Sequence, residues 1–169
     1  MIFVDETNCG ARFSDCRAYR YTLWRRWVDG CPLSRMVAFI GLNPSTADET
    51  VNDPTVKRCI NFADHWGYDG MVMLNLFALR ATEPSVMKAS RDPVGSSNDE
   101  AIVKVVASAA ETVFAWGVHG QHHDRSKDVL SMIRLMPSLP ITSHLGRTLA
   151  GHPKHPLYLR ADTVRKAWW

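Results

Sequence analysis

No apolar run in this sequence approaches the ~20 residues that a membrane-crossing helix needs, so a helical membrane protein is not expected. The N-terminal Met-Ile-Phe-Val-Asp-Glu lacks the basic flank and apolar stretch of a secretory signal, and a cytoplasmic protein is the expectation. Cysteine is scarce. The four present, Cys9, Cys16, Cys31 and Cys59, contain no C-x-x-C pair and no zinc-like spacing, which predicts reduced thiols and no structural metal. Charge of one sign is not in large excess either: the net +3 is weak support for a polyanionic partner. Internal repeats and low-complexity segments are absent.

What remains is an ordinary globular composition, 46% hydrophobic and 22% charged, in a length suited to one domain spanning residues 1–169. Tyr19, Tyr21 and Leu23 alternate with Arg20, Thr22 and Trp24, which predicts a half-buried strand near a sheet edge. The runs Met36–Ile40, Met71–Phe77 and Thr112–Trp116 are short and continuously apolar, as in strands buried on both faces. A short last strand is expected at Leu139–Thr142. Helical spacing joins Val56, Cys59, Ile60, Ala63 and Trp66, with Asp53-Pro54 as N-cap and first turn. Two more helices are marked by Ile102, Val105, Val106 and Ala109, and by Val129, Ile133 and Met136. Alternating strands and helices predict an α/β fold of three layers. The expected centre is a mainly parallel sheet of about four strands, with an N-terminal strand or hairpin added.

In such folds ligands bind beyond the carboxyl ends of the strands. Gly41-Leu42-Asn43-Pro44-Ser45 leaves the first buried strand there, because Pro44 lacks an N–H and cannot extend the ladder. A plain Asn-Pro turn is the structural alternative. Asn75 interrupts an otherwise apolar strand, and its buried amide must bond either within the fold or to a ligand. His152-Pro153-Lys154-His155-Pro156 offers two histidines held by prolines. His119, His122 and His123 form a second cluster, without the carboxylate partner that would support metal binding. Basic residues gather late in the chain, as Arg147, Lys154, Arg160, Arg165 and Lys166, where a solvated surface is the ordinary interpretation.

Taken together, Tyr19-Arg-Tyr21, Leu42-Asn-Pro-Ser-Thr-Ala-Asp48, Asn52-Asp-Pro-Thr55, Asn75-Leu-Phe-Ala78, Asp92-Pro-Val-Gly95, Asn98-Asp99, Ala115-Trp-Gly117 and His155-Pro-Leu-Tyr158 resemble a bacterial and phage family described only as a domain of unknown function. The match runs over nearly the whole chain. The order of motifs is also similar to the uracil-DNA glycosylase superfamily: Gly41–Ser45 to its G-I-N-P-G loop, Met73-Leu-Asn75 to its base-reading strand, and His155–Leu159 to its late H-P-x-x-L loop. Ser45 stands where that family has its second glycine, the carboxylate of G-Q-D-P-Y-H has no counterpart, and the cysteines do not match iron–sulfur-bearing members.

This second resemblance implies hydrolysis of the N-glycosidic bond of an unusual or modified base in DNA, with no cofactor and no metal. Asn43 would orient the attacking water and His155 would donate to the departing base. Leu42, Pro44, Ser45 and Asn75 would surround that base, with Phe77 or Trp116 stacking on it. Arg147, His152, Lys154, Tyr158 and Arg160 would contact DNA presented single-stranded or flipped. An amide is a poor proton acceptor, so catalysis would rest on positioning and leaving-group stabilisation. Two other classes share these loops. One is a non-catalytic nucleic-acid-binding module. The other is a nucleoside- or nucleotide-processing enzyme that uses Asp48, Asp53, Asp92 and Asp99 for a divalent metal.

Overall fold

A computed structural model describes residues 2–169. Among them, the strands are β1 (Cys9–Phe13), β2 (Arg20–Arg26), β3 (Met36–Gly41), β4 (Gly70–Asn75), β5 (Glu111–Phe114), β6 (Thr142–His144) and β7 (Lys166–Ala167). The helices are α1 (Pro54–His65), α2 (Pro84–Ala89), α3 (Asn98–Ser108) and α4 (Arg125–Arg134). The strands make one mixed sheet in the order β1-β2-β4-β3-β5-β6-β7.

Every residue of β3 and β4 is buried, as their unbroken apolar sequences require. Period-2 alternation divides β3 between two cores. Met36, Ala38 and Ile40 meet the α3 and α4 side, with Ile102, Val105, Val106, Val129 and Ile133. Val37 and Phe39 meet the α1 side, with Val56, Cys59, Phe62 and Ala63. Phe39 and Phe62 both stack on Trp66, at ring-centroid distances of 6.0 and 5.3 Å. Such pairs add roughly 0.5–1.5 kcal/mol each beyond area burial. Asp53 caps α1 by accepting from Val56 N at 2.8 Å, and Pro54 occupies the first turn, where its missing N–H costs nothing.

The sheet is parallel only at its centre. β4, β3, β5 and β6 run parallel through three pairings, while β1–β2, β2–β4 and β6–β7 are antiparallel. The expectation of a mainly parallel sheet of about four strands is thereby corrected to seven strands of mixed direction. β7 is two exposed residues long and leaves no periodic signature. β2 lies beside the edge strand β1, with which it forms an N-terminal hairpin, but its residues from Arg20 to Arg25 are buried where half-burial was expected. The last parallel strand begins at Thr142, because Pro140 cannot donate to a ladder. No helix among the described residues is long and apolar enough to cross a membrane.

At the amino end of β5, Glu111 is 6% exposed. It accepts hydrogen bonds from Tyr68 Oη (2.6 Å), Arg165 Nε (3.0 Å) and Ser143 Oγ. Burial, then the bond to this carboxylate, pushes the Tyr68 phenol up to about 12. Arg165 lies over the rings of Trp66 and Tyr68, which ties the C-terminal segment to the sheet. Arg165→Ala removes the only cation among the described residues bonded to this carboxylate and should lower unfolding free energy by about 1–3 kcal/mol. Urea denaturation at neutral pH measures it; an unchanged midpoint would mean that Tyr68 and Ser143 suffice.

Candidate functional site

From β3 the chain crosses to β4 on one side, then passes back over the sheet to β5 on the other. The two connections diverge at the carboxyl end of β3, the place where open α/β sheets leave a crevice. A cavity of about 790 Å³ opens there. Its walls come from the loop after β3, the first turn of α1, the end of β4, residues 81–84, residues 116–119 after β5, and residues 148–158.

Asn43 lines this cavity and also holds its loop in place. Its Nδ2 donates to Ala81 O at 2.7 Å and to Pro44 O at 3.1 Å, which commits both amide hydrogens. Among the described residues Oδ1 accepts no hydrogen bond, and it is the atom left for a water or a ligand. The turn is therefore structural through one end of the amide and open at the other.

Asn75 ends β4 opposite Gly41 of β3. The pairing needs glycine: a Cβ at position 41 would fall 2.6 Å from Met73 Cε and 3.0 Å from Asn75 Nδ2. The strand end leaves two main-chain carbonyls in the interior, and both are satisfied. Asn98 Nδ2 bonds Asn75 O (3.1 Å) and Leu76 O (3.0 Å), while Arg125 Nε bonds Leu76 O at 2.8 Å and pairs with Asp99. Tyr19 supports the neighbouring loop from the other side. Its hydroxyl donates to Asp92 O at 2.9 Å, and its ring lies so close to Gly95 that a Cβ there would be 2.7 Å away.

His155 enters from the late loop and lines the cavity half-buried. Its Nδ1 accepts from Leu157 N at 3.3 Å, so the neutral ring carries its proton on Nε2. Burial lowers its pKa below the ordinary histidine value, against a smaller opposing pull from the Asp53 charge.

Two further residues belong to the same cavity: Arg20, given no role in the sequence reading, and Asp53, named there only as a helix cap and as one of four carboxylates for a divalent metal in the nucleotide-enzyme alternative. Asp53 is 9% exposed; its Oδ1 caps α1, and its Oδ2 has no hydrogen-bond partner among the described residues. Its position just past the Asn-Pro loop was a usable signal, masked by the good N-cap it makes. Arg20 is 2% exposed, donating to Ala47 O at 3.0 Å and to Asn75 Oδ1 at 3.2 Å. Nothing in a basic-aromatic strand sequence marks one arginine as buried.

Leu42, Asn43, Ser45, Asn75, Lys154, His155 and Tyr158 all line the cavity, with Tyr158 largely exposed at its rim. Pro44 is buried beside it without forming its wall. Phe77 is fully buried in the α3/α4 core, since residue 77 passes beneath the loop after the strand has ended, and it does not reach the cavity. Trp116 does, and it also borders a second cavity of about 330 Å³ that contains His152. Arg147 and Arg160 line neither. Arg147 stacks on Trp168 at 4.0 Å, and Arg160 is exposed and paired with Asp162. His119 lies at the main cavity with Nδ1 3.0 Å from Lys88 Nζ, while His122 and His123 pack ring on ring at 3.9 Å. Among the described residues no three His, Cys, Asp or Glu side chains are grouped as a metal site.

Fold and cavity define an α/β protein with a candidate site at the switch point of its sheet. The chain belongs to the family described as protein of unknown function (DUF1643), whose pattern it matches over residues 20–157. No curated protein and no solved structure matches it.

The tautomer of His155 is directly measurable. Long-range ¹H–¹⁵N spectra at pH 7 should show a neutral ring protonated at Nε2, titrating below ~6.5. Because the shift is downward, the ring stays neutral through pH 7 and takes up its proton only in more acid solution. A midpoint above the ordinary value, or an Nδ1–H tautomer, would contradict the geometry.

Proposed function

We propose that this cavity hydrolyses the N-glycosidic bond of an unusual or modified base in DNA. The observation that carries the reading is the convergence of Asn43, Asn75 and His155, distant in sequence, on one cavity at the carboxyl ends of β3 and β4. The parallel centre in the order β4-β3-β5-β6 and the sequence order of these residues support the likeness to uracil-DNA glycosylases. Lys154 and exposed Tyr158 at the mouth suit a phosphate and a sugar or flanking base.

Cleavage leaves positive charge on the sugar and an electron pair on the departing base. Asn43 Oδ1 holds the water, and Asp53 supplies the proton acceptor that an amide cannot be. As the water oxygen bonds to the sugar carbon, its proton passes to Asp53 and the C–N electron pair stays with the base. Asn75 Nδ2 and His155 Nε2 donate to the oxygen that gains the charge. A neutral His155 is suited to this: it donates a hydrogen bond without first giving up a proton.

The test incubates purified protein with single-stranded and duplex oligonucleotides carrying uracil, hypoxanthine or phage-type modified bases, then scores abasic sites after alkali. Strand breaks at one of these bases are expected, with Asp53→Asn reducing the rate about 10²–10⁴-fold. Asparagine caps a helix as well as aspartate does, so folding stability should be unaffected by that change. Absence of product from every substrate, with folded protein, rules the reading out.

A further inference from the structure

Arg20 combines three properties seldom found together. It is buried, its side chain borders the cavity, and among the described residues no carboxylate comes within ion-pairing distance. Nη1 is held by Ala47 O and Nη2 by Asn75 Oδ1, while Nε is sealed from solvent without a partner. A buried cation left in this state is costly unless it serves a ligand or a charge that develops during reaction.

We propose that Arg20 is the positioning residue that fixes Asn75 as a hydrogen-bond donor, so that the cavity selects bases presenting a carbonyl oxygen over bases presenting an amino group. This rests on the reading that the cavity holds a nucleobase. The chemistry follows from a guanidinium having only donors. The atom of Asn75 that faces it must be oxygen, so the amide nitrogen is turned away from Arg20. That nitrogen bonds nothing among the described residues, is not sealed off, and has its space kept open by Gly41. Flipping the amide would set two donors against each other in the interior, and Arg20 cannot swing aside while Ala47 O holds it.

An amino-bearing edge, as in cytosine or adenine, brings N–H against N–H at this position. A keto edge, as in uracil, thymine or hypoxanthine, completes the bond. The unneutralised charge behind the amide favours the same oxygen further as it becomes anionic. Arg20 touches no substrate; it acts through Asn75.

The experiment is binding of free bases at millimolar concentration, followed by ¹H–¹⁵N chemical shifts in wild type, R20K, R20M and R20Q. Wild type should bind uracil and hypoxanthine about tenfold or more tighter than cytosine and adenine, as expected for one satisfied against one opposed donor. R20K, still a pure donor, should keep the preference. R20M and R20Q, which let the amide turn, should bring the two classes within about twofold. No base bound by folded wild type would overturn the nucleobase reading of the cavity. Binding without preference in wild type, or a preference unchanged in R20M and R20Q, would overturn the role of Arg20 alone. Should the substituted proteins fail to fold, the wild-type ranking still tests the preference itself, and its absence overturns the proposal.

Discussion

Where β4 stops, the chain leaves the sheet inside the protein, and the carbonyls of Asn75 and Leu76 have neither a neighbouring strand nor water to bond. Buried main-chain acceptors of this kind must be satisfied, at a cost of about 1–3 kcal/mol each if they are not. Asn98 and Arg125 provide the donors, from the start of α3 and the start of α4. Much else depends on that arrangement. It fixes where α3 begins, it seats Arg125 beside Asp99, and it allows an irregular chain segment to pass through the interior toward residue 81, where Asn43 is tethered.

Several motifs that look like separate signatures in the sequence are parts of this one support. Asn98-Asp99 holds the strand end. Asp92–Gly95 receives the ring and hydroxyl of Tyr19. Asn52 accepts from Arg25 Nε at 2.8 Å, while Asp48 O accepts from its Nη2 at 2.8 Å, which fastens the stretch between the Asn-Pro loop and α1 to β2. Asp53 is then presented at the head of α1 with one carboxylate oxygen committed and the other without a partner. Asn98, Tyr19, Arg25 and Asn52 need touch no ligand to hold the segments around Asn43 and Asn75.

The parallel centre was legible because its strands are buried on both faces and therefore read as unbroken apolar runs. α1 was legible because its cap, its proline and its apolar spacing agree. The two-residue strand Lys166–Ala167 and the full burial of β2 were not, because pairing partners and burial are set by tertiary contacts rather than local pattern. At the site, an asparagine inside an apolar strand and a histidine between prolines stood out chemically. Arg20 did not: in a sequence, an arginine flanked by tyrosines reads as a solvated side chain, and only the fold reveals that Ala47 O and Asn75 Oδ1 take the place of water. Asp53 was visible as a cap, and the cap concealed its second oxygen. Phe77 shows the converse limit, since one residue beyond the strand the chain turns and an aromatic that looks close to the site belongs to the core.

The charges that were hardest to read are the ones that give the cavity its polarity. Asp53 and Arg20 are both buried, both border it, and do not pair with each other. Asp53 sits at the head of α1, where it also favours the positive end of His155's titration, and Arg20 lies behind Asn75 at the end of β4. Two opposite charges that met would neutralise one another and leave a weak field. Held apart in a medium of low effective dielectric, they leave a gradient across the space between them. A reaction that separates charge along that direction, positive toward the carboxylate and negative toward the amide, is stabilised in its transition state more than in its ground state, which is the condition for catalysis rather than mere binding. The proposed cleavage of a bond between a sugar and a keto base, with the base toward Asn75, separates charge in that sense, and a ligand that stayed neutral throughout would gain little from it.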